Sequence, residues 1–216
     1  SGHPVIGLFP DWFASRQPDW PANLHSTDFP LAPPEKTGLL DPELTTFLEA
    51  GIKPIVFTFG TGVKDWGKKL EVIQKYCSST GKRAIISGPS FYDAGNDSHK
   101  ALFYCGYAEF SKLLPKCCAI VHHGGIGTTS EALRAGIPQL IFPLAFDQPD
   151  NAERIKQLGV GDYLSPRKFT VPLLADRLSN LLISDQVKRN CSELSQKLRS
   201  GGVKTIGEYL ESIVNH

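Results

Sequence analysis

The stretch C-A-I-V-H-H-G-G-I-G-T-T-S-E-A-L-R-A-G-I-P-Q-L-I-F-P-L-A-F-D-Q, Cys118 to Gln148, decides the fold. Ala119 to Val121 are a short apolar run that reads as a buried strand. His122 to Gly127 are too glycine-rich to continue it, and Thr128 to Ala135 suit a helix closed by Gly136 ahead of Pro138. Gln139 to Phe142 then read as a second buried strand, followed by a loop through Pro143 and Asp147 to Gln148. A glycine turn between a strand and a helix aims free backbone N–H groups, and a helix end carrying about half a unit of positive charge, at whatever lies beyond the strand. The stretch therefore predicts an anion site, with phosphate as the expected anion.

Working outward, the same alternation recurs. Asp41-Pro42 caps a helix with Leu44, Phe47 and Leu48 on one face and Gly51 at its close. Pro54 to Phe59 read as a buried strand entering Gly60-Thr61-Gly62, with a helix near Lys68 to Ser79. Ala84 to Ser87 and Leu102 to Cys105 are further strands, and Ser111 to Lys116 a short helix. Beyond Gln148 come a helix over Asn151 to Leu158, a strand near Tyr163-Leu164, and helices beginning near Thr170, Ser184 and Val203. This order predicts an α/β fold, a Rossmann-like, doubly wound parallel sheet with helices on both faces. The loops Gly60 to Gly62, Gly106 to Ala108, His122 to Gly127 and Pro143 to Gln148 all follow strands and are expected to converge on one rim.

Ahead of Asp41 the composition changes. Val5 to Phe9 read as a first strand. Asp11 to Pro34 hold five prolines, which exclude a regular helix, with one extended piece near Leu24 to Phe29, and Trp12 and Trp20 are expected to pin this segment to the core. Residues 1–40 are thus read as a proline-rich interdomain entry segment with its first strand, and residues 41–216 as the binding domain.

The 216 residues carry 23 Lys plus Arg against 22 Asp plus Glu, which offers no basic surplus for nucleic acid and no polybasic run for an anionic membrane. No apolar run approaches the ~20 residues of a transmembrane segment. Five cysteines without C-x-x-C spacing predict free thiols in a cytoplasmic protein, a reading that leaves peripheral membrane contact open. The chain begins at Ser1 and contains no methionine, which predicts a processed product or a piece of a longer protein.

His122-His123 beside glycines invites a metal reading, but no suitably spaced third ligand accompanies the pair, so no metal and no cofactor are expected. His123, nearer the turn, has the better line to the rim, and His122 at the strand end is expected to face the interior. G-I-G-T-T-S from Gly125 places Ser130 where a dinucleotide fingerprint needs glycine, which argues against NAD. Thr128 and Thr129 read as phosphate-contacting hydroxyls, with plain helix caps as the alternative. Glu131, one turn into the helix, can accept from two vicinal ribose hydroxyls or simply favour a first turn. Asp147-Gln148 pair a charged acceptor with an amide, as sugar hydroxyls require, or cap the next helix.

The run from Val121 to Pro143, with Asp147-Gln148, N-A-E-R-I at Asn151 to Ile155 and L-G-V-G at Leu158 to Gly161, resembles the signature of the UDP-glycosyltransferase superfamily, GT-B fold. It is most similar to the microbial branch that includes macrolide and sterol glycosyltransferases. D-W-P-A-N at Asp19 to Asn23, F-L-E-A-G-I-K-P-I-V-F-T-F-G-T at Phe47 to Thr61 and L-L-P-K-C-C at Leu113 to Cys118 extend the resemblance over most of the chain.

The resemblance implies the carboxy-terminal, donor-binding half of an inverting, metal-independent enzyme. Such an enzyme moves a hexose from a UDP- or dTDP-sugar to an acceptor hydroxyl on a small molecule or lipid. The diphosphate site falls on His123, Gly125, Gly127, Thr128 and Thr61, the ribose site on Glu131, and the sugar site on Asp147 and Gln148. Base contacts fall on Tyr107 and Ala108, where the plant branch has Trp-Ala-Pro-Gln and this chain has Tyr107-Ala108-Glu109-Phe110. That departure leaves uracil against thymine open. The family's general base belongs to an amino-terminal acceptor domain, so no catalytic residue is expected here and the chain alone is expected to transfer little or no sugar. A stand-alone donor-binding subunit, a nucleotide-sugar epimerase and an NAD-binding domain are the alternatives.

Overall fold

The computed structural model describes residues 3–32, 40–60, 67–88, 101–199 and 203–214. Six strands make one parallel sheet: β3 (Ile55–Thr58), β4 (Ala84–Ser87), β5 (Leu102–Cys105), β6 (Ala119–His122), β7 (Gln139–Ile141) and β8 (Gly161–Tyr163), in the order β5-β4-β3-β6-β7-β8. From β3 the chain winds outward through β4 and β5, then returns to lay β6 on the other side of β3 and winds outward again. The reversal of strand order between β3 and β6 leaves a crevice at their carboxyl ends, the place where open parallel sheets bind ligands. Thr58 pairs with His122 and Phe57 with Val121 at that seam.

The strands are apolar on both sides because helices cover both faces. Ile55, Phe57, Ala84, Ile86 and Val121 point to one face, with Ile73, Tyr76, Leu174 and Leu178 from α2 (Gly67–Thr80) and α6 (Val171–Ile183). Val56, Ile85 and Ile120 point to the other, with Leu44 and Phe47 of α1 (Pro42–Glu49), Leu113 of α3 (Phe110–Leu113) and Ala132 of α4 (Ile126–Ala135). Asp41 caps α1 as its sequence predicts, Oδ1 accepting from the amides of Glu43 (2.9 Å) and Leu44 (3.1 Å). Gly136 closes α4 in the left-handed conformation at φ 69°.

Residues 3–32 hold β1 (Val5–Gly7) and β2 (Leu24–Ser26), a separate parallel pair. Their aromatics pack as expected. Phe13 and Phe29 are buried with ring centroids 5.0 Å apart, and Trp12 meets Phe29 edge-on at 6.3 Å. They share a third cluster with Ala152 and Ile155 of α5 (Gln148–Gln157) and Cys191 and Leu194 of α7 (Asp185–Arg199). Tyr209 of α8 (Val203–Val214) stacks on His25 at 3.7 Å. All five cysteines are free, and among the described residues no helix is long and apolar enough to cross a membrane.

Three boundaries around the glycine turn and the loop after β7 differ from the sequence reading. The strand runs one residue further, taking in His122, and the helix starts at Ile126 rather than Thr128. Gly125 occupies the N-cap with no side-chain bond, so no polar side chain marks the start. Likewise α5 begins at Gln148, three residues before the expected Asn151.

Candidate functional site

β6 carries the two histidines to the crevice and treats them oppositely. His122 is fully buried, its Nδ1 accepting the amide of Gly124 at 3.1 Å. The proton must then sit on Nε2, which donates to Gln139 Oε1 at 2.9 Å, and Gln139 Nε2 reaches the carbonyl of Thr129 at 3.3 Å. Burial, with His123 beside it, pushes the His122 pKa down to about 3. This neutral ring fastens the glycine turn, β7 and the first turn of α4 together.

His123 is half-buried behind the crevice. Its ring needs room that only glycine leaves: a Cβ on Gly60 would lie 2.9 Å from Cε1 and one on Gly125 2.6 Å from Nε2. Its Nδ1 is buried without a hydrogen-bond partner among the described residues, and burial lowers its pKa while the Asp147 carboxylate pulls the other way.

A cavity of about 880 Å³ opens at the strand ends. Thr58, Gly60, Ser87 and Gly88 form its floor, and Tyr107 and Ala108 one side. Ile126, Gly127, Thr128, Glu131 and Arg134 supply the α4 wall, and Phe29 to Ala32 with Leu8 line a further wall that adjoins it at Arg134. A Cβ on Gly127 would meet nothing within 4 Å, so this helix N-terminus faces open space. Tyr107 is 78% exposed, whereas Ala108 is nearly buried. Thr129 turns inward, its hydroxyl donating to Gly125 O at 3.0 Å, so of the two threonines it is Thr128 that lines the cavity. Among the described residues no group of three or more His, Cys, Asp or Glu is arranged to hold a metal ion.

Not every expected residue joins this cavity. Thr61 lies outside the described residues. The four loops leave parallel strands at the same carboxyl edge of the sheet, as expected, but His123, Gly125, Asp147 and Gln148 do not line the cavity. The side chains of the last two hold their own loop: Asp147 Oδ2 accepts from Asn151 Nδ2 at 2.9 Å, and Gln148 Oε1 accepts from the amides of Leu144 (2.7 Å) and Ala145 (3.1 Å). Asn151 Nδ2 also donates to Gly124 O at 2.9 Å, so this loop meets the glycine turn on the far side of His123. Asp147 sits at the N-cap of α5 without capping it.

Sequence reasoning missed Arg134, Gln139, Asn151 and the Phe29–Ala32 wall. Only Arg134 left a local signal, its place three residues after Glu131 on one helix.

This parallel sheet with its switch point and glycine-led helix defines a Rossmann-like domain. The erythromycin biosynthesis protein CIII-like C-terminal domain model matches residues 104–203. A sterol 3-beta-glucosyltransferase of Arabidopsis thaliana is 34% identical over 179 residues, covering 79% of this chain and 28% of that protein. The O-mycaminosyltylonolide 6-deoxyallosyltransferase of Streptomyces fradiae is 32% identical over 164 residues, 73% of this chain and 37% of its own. A spinosyn rhamnosyltransferase solved with thymidine diphosphate superposes with a TM-score of 0.77 at 20% identity, over 98% of this chain and 57% of that one. The chain therefore belongs to the UDP-glycosyltransferase superfamily, as a carboxy-terminal domain of the GT-B fold. It spans about a third of the length of these curated relatives.

Proposed function

We propose that this chain is the donor-binding domain of an inverting glycosyltransferase that moves a hexose from a UDP- or dTDP-sugar to an acceptor hydroxyl. The observation that carries the reading is the single cavity shared by the Gly127 end of α4, the Glu131 carboxylate and the Tyr107–Ala108 loop. The diphosphate lies against the amides of Gly125 and Gly127 and the Thr128 hydroxyl, with Thr61 adjoining. The ribose lies on Glu131, and the base between Tyr107 and the Ala108 backbone. The sugar extends toward Asp147 and Gln148. Residues 1–40 serve as the entry from an acceptor-binding domain, and residues 41–216 as the donor domain.

In the reaction the acceptor oxygen attacks the anomeric carbon as the bond to the β-phosphate oxygen breaks. The electron pair leaves on the diphosphate, and the acceptor proton passes to a base supplied by the acceptor domain. Charge on the leaving diphosphate is met by His123 and the helix end, without metal or cofactor. Burial keeps His123 neutral in the free domain, and an arriving diphosphate reverses that bias by favouring the imidazolium. With the base supplied by the acceptor domain, the chain transfers little sugar alone, and its partners are the nucleotide sugar and the acceptor domain.

Calorimetric titration of the chain with UDP, dTDP, a UDP-hexose and NAD tests the reading. A pyrimidine diphosphate binds and NAD does not, and His123→Ala and Glu131→Ala each weaken binding about tenfold or more, the scale of one charge-assisted contact. Binding of NAD in place of pyrimidine nucleotides would overturn it.

A further inference from the structure

Glu131 does not stand alone at the cavity. Arg134, one turn on, donates Nη2–H to Glu131 Oε2 at 2.5 Å and Nη1–H to the carbonyl of Ala32 at 2.5 Å. Its own carbonyl accepts the Ser195 hydroxyl of α7 at 2.7 Å. Both side chains are largely buried, at 15% and 21% exposure, and Glu131, Arg134 and Ala32 all line the cavity. Among the described residues Glu131 Oε1 accepts no hydrogen bond.

We propose that Arg134 is a positioning residue for nucleotide binding: it holds the Glu131 carboxylate with Oε1 presented to the ribose, and it fastens the Phe29–Ala32 wall to that carboxylate. The proposal rests on the ribose reading of Glu131. Two physical reasons support it. A free glutamate samples several rotamers, and one oxygen fixed by a guanidinium leaves a single direction for the other to accept a hydroxyl. A bare carboxylate would also repel the diphosphate a few ångströms away in a poorly solvated cavity, and the guanidinium cancels that charge while leaving the acceptor in place. The second N–H, spent on Ala32, makes a backbone stretch 102 residues away in sequence part of the same arrangement.

The 3′-hydroxyl is common to UDP and dTDP, so UDP and 3′-deoxy-UDP are the probes, titrated into the chain, Glu131→Ala, Arg134→Met, Arg134→Lys and the double variant Glu131→Gln/Arg134→Met. The chain prefers UDP to the deoxy analogue by about tenfold, and Glu131→Ala removes the preference. Arg134→Met lowers UDP affinity about tenfold and also brings the ratio to near one. Arg134→Lys, which keeps charge but cannot bridge both partners, loses the preference while retaining part of the affinity. The double variant, relieved of the unpaired carboxylate, binds UDP more tightly than Arg134→Met alone. A preference abolished by Glu131→Ala but intact in Arg134→Met and Arg134→Lys overturns the inference and leaves the ribose reading standing. A preference that survives Glu131→Ala overturns that reading, and this inference with it. Should Arg134→Met fail to fold, the lysine variant decides alone.

Discussion

The two sides of the glycine turn are built on opposite plans. On the α4 side a carboxylate, a helix end and a tied-down wall enclose a cavity, and the polar groups around it are held from behind by His122, Gln139 and Arg134. On the α5 side the loop from Pro143 to Asp147 spends its polar side chains on itself and turns its apolar ones outward. Leu144 is 44% exposed and Phe146 94%, the latter in the left-handed region at φ 59°. One side is thus enclosed, its polar groups fixed by contacts within the chain, and the other is an open surface with its apolar groups turned outward.

That contrast can be broken at three points, beginning with the ring that fastens the enclosed side. The unfolded chain binds a proton on His122 near pH 6.5, while the folded chain refuses it until about pH 3. The unfolded state therefore holds more protons throughout that window, so stability is full above pH 6.5 and is lost as pH falls through it. The loss amounts to about 2 kcal/mol by pH 5. His123, depressed for the same reason, acts in the same direction. Denaturant midpoints against pH show a shallower slope for His122→Asn than for the parent. Equal slopes would mean that His122 is not the buried neutral lock.

Gly127→Ala sharpens the contrast by moving stability and function apart. The added methyl meets no atom of the described residues within 4 Å, and in a helix alanine replaces glycine with a gain of about 0.5–1 kcal/mol. The same methyl occupies the approach of a phosphate to the helix end. A higher denaturant midpoint paired with roughly tenfold weaker UDP binding is the expected outcome. Unchanged affinity would move the diphosphate elsewhere.

The smallest effect belongs to the open side. Phe146 tolerates a conformation that costs an L-residue about 1–2 kcal/mol, and it buries almost nothing in return. Phe146→Gly removes that strain at the expense of chain entropy, a net gain of about 0.5–1 kcal/mol measured by chemical denaturation. Because the ring stays clear of the cavity, nucleotide affinity does not change. A destabilised variant would show that Phe146 packs against its own domain.

What the sequence exposed of this arrangement follows the range of the forces involved. Strands and helices were legible where glycine, proline and apolar periodicity act over a few residues, as at Asp41-Pro42 and Gly136. The start of α4 was not, because Gly125 leaves no polar mark at the N-cap. Asp147 gave the opposite error, since it has the chemistry of a cap and occupies the cap position while its carboxylate goes to Asn151. The inward turn of His122 could be read from its place at a strand end. Its partner Gln139, 17 residues on, could not, and no spacing rule joins Arg134 to Ala32. Contacts set by tertiary closure are silent in a one-dimensional pattern.

The seam between β3 and β6 carries a consequence for the order of events during folding. Every other pairing in the six-stranded sheet joins strands that succeed one another in the chain, whereas here the amide of Cys118 meets the carbonyl of Pro54 across 64 residues. Closing so long a loop is the least local step in assembling the sheet, and such steps are slow. Two half-sheets, β3-β4-β5 and β6-β7-β8, can each gather before they meet, and only their meeting creates the crevice. Recovery of nucleotide binding after dilution from denaturant therefore trails recovery of secondary structure, and the ligand reports on the final event in the assembly of its own site.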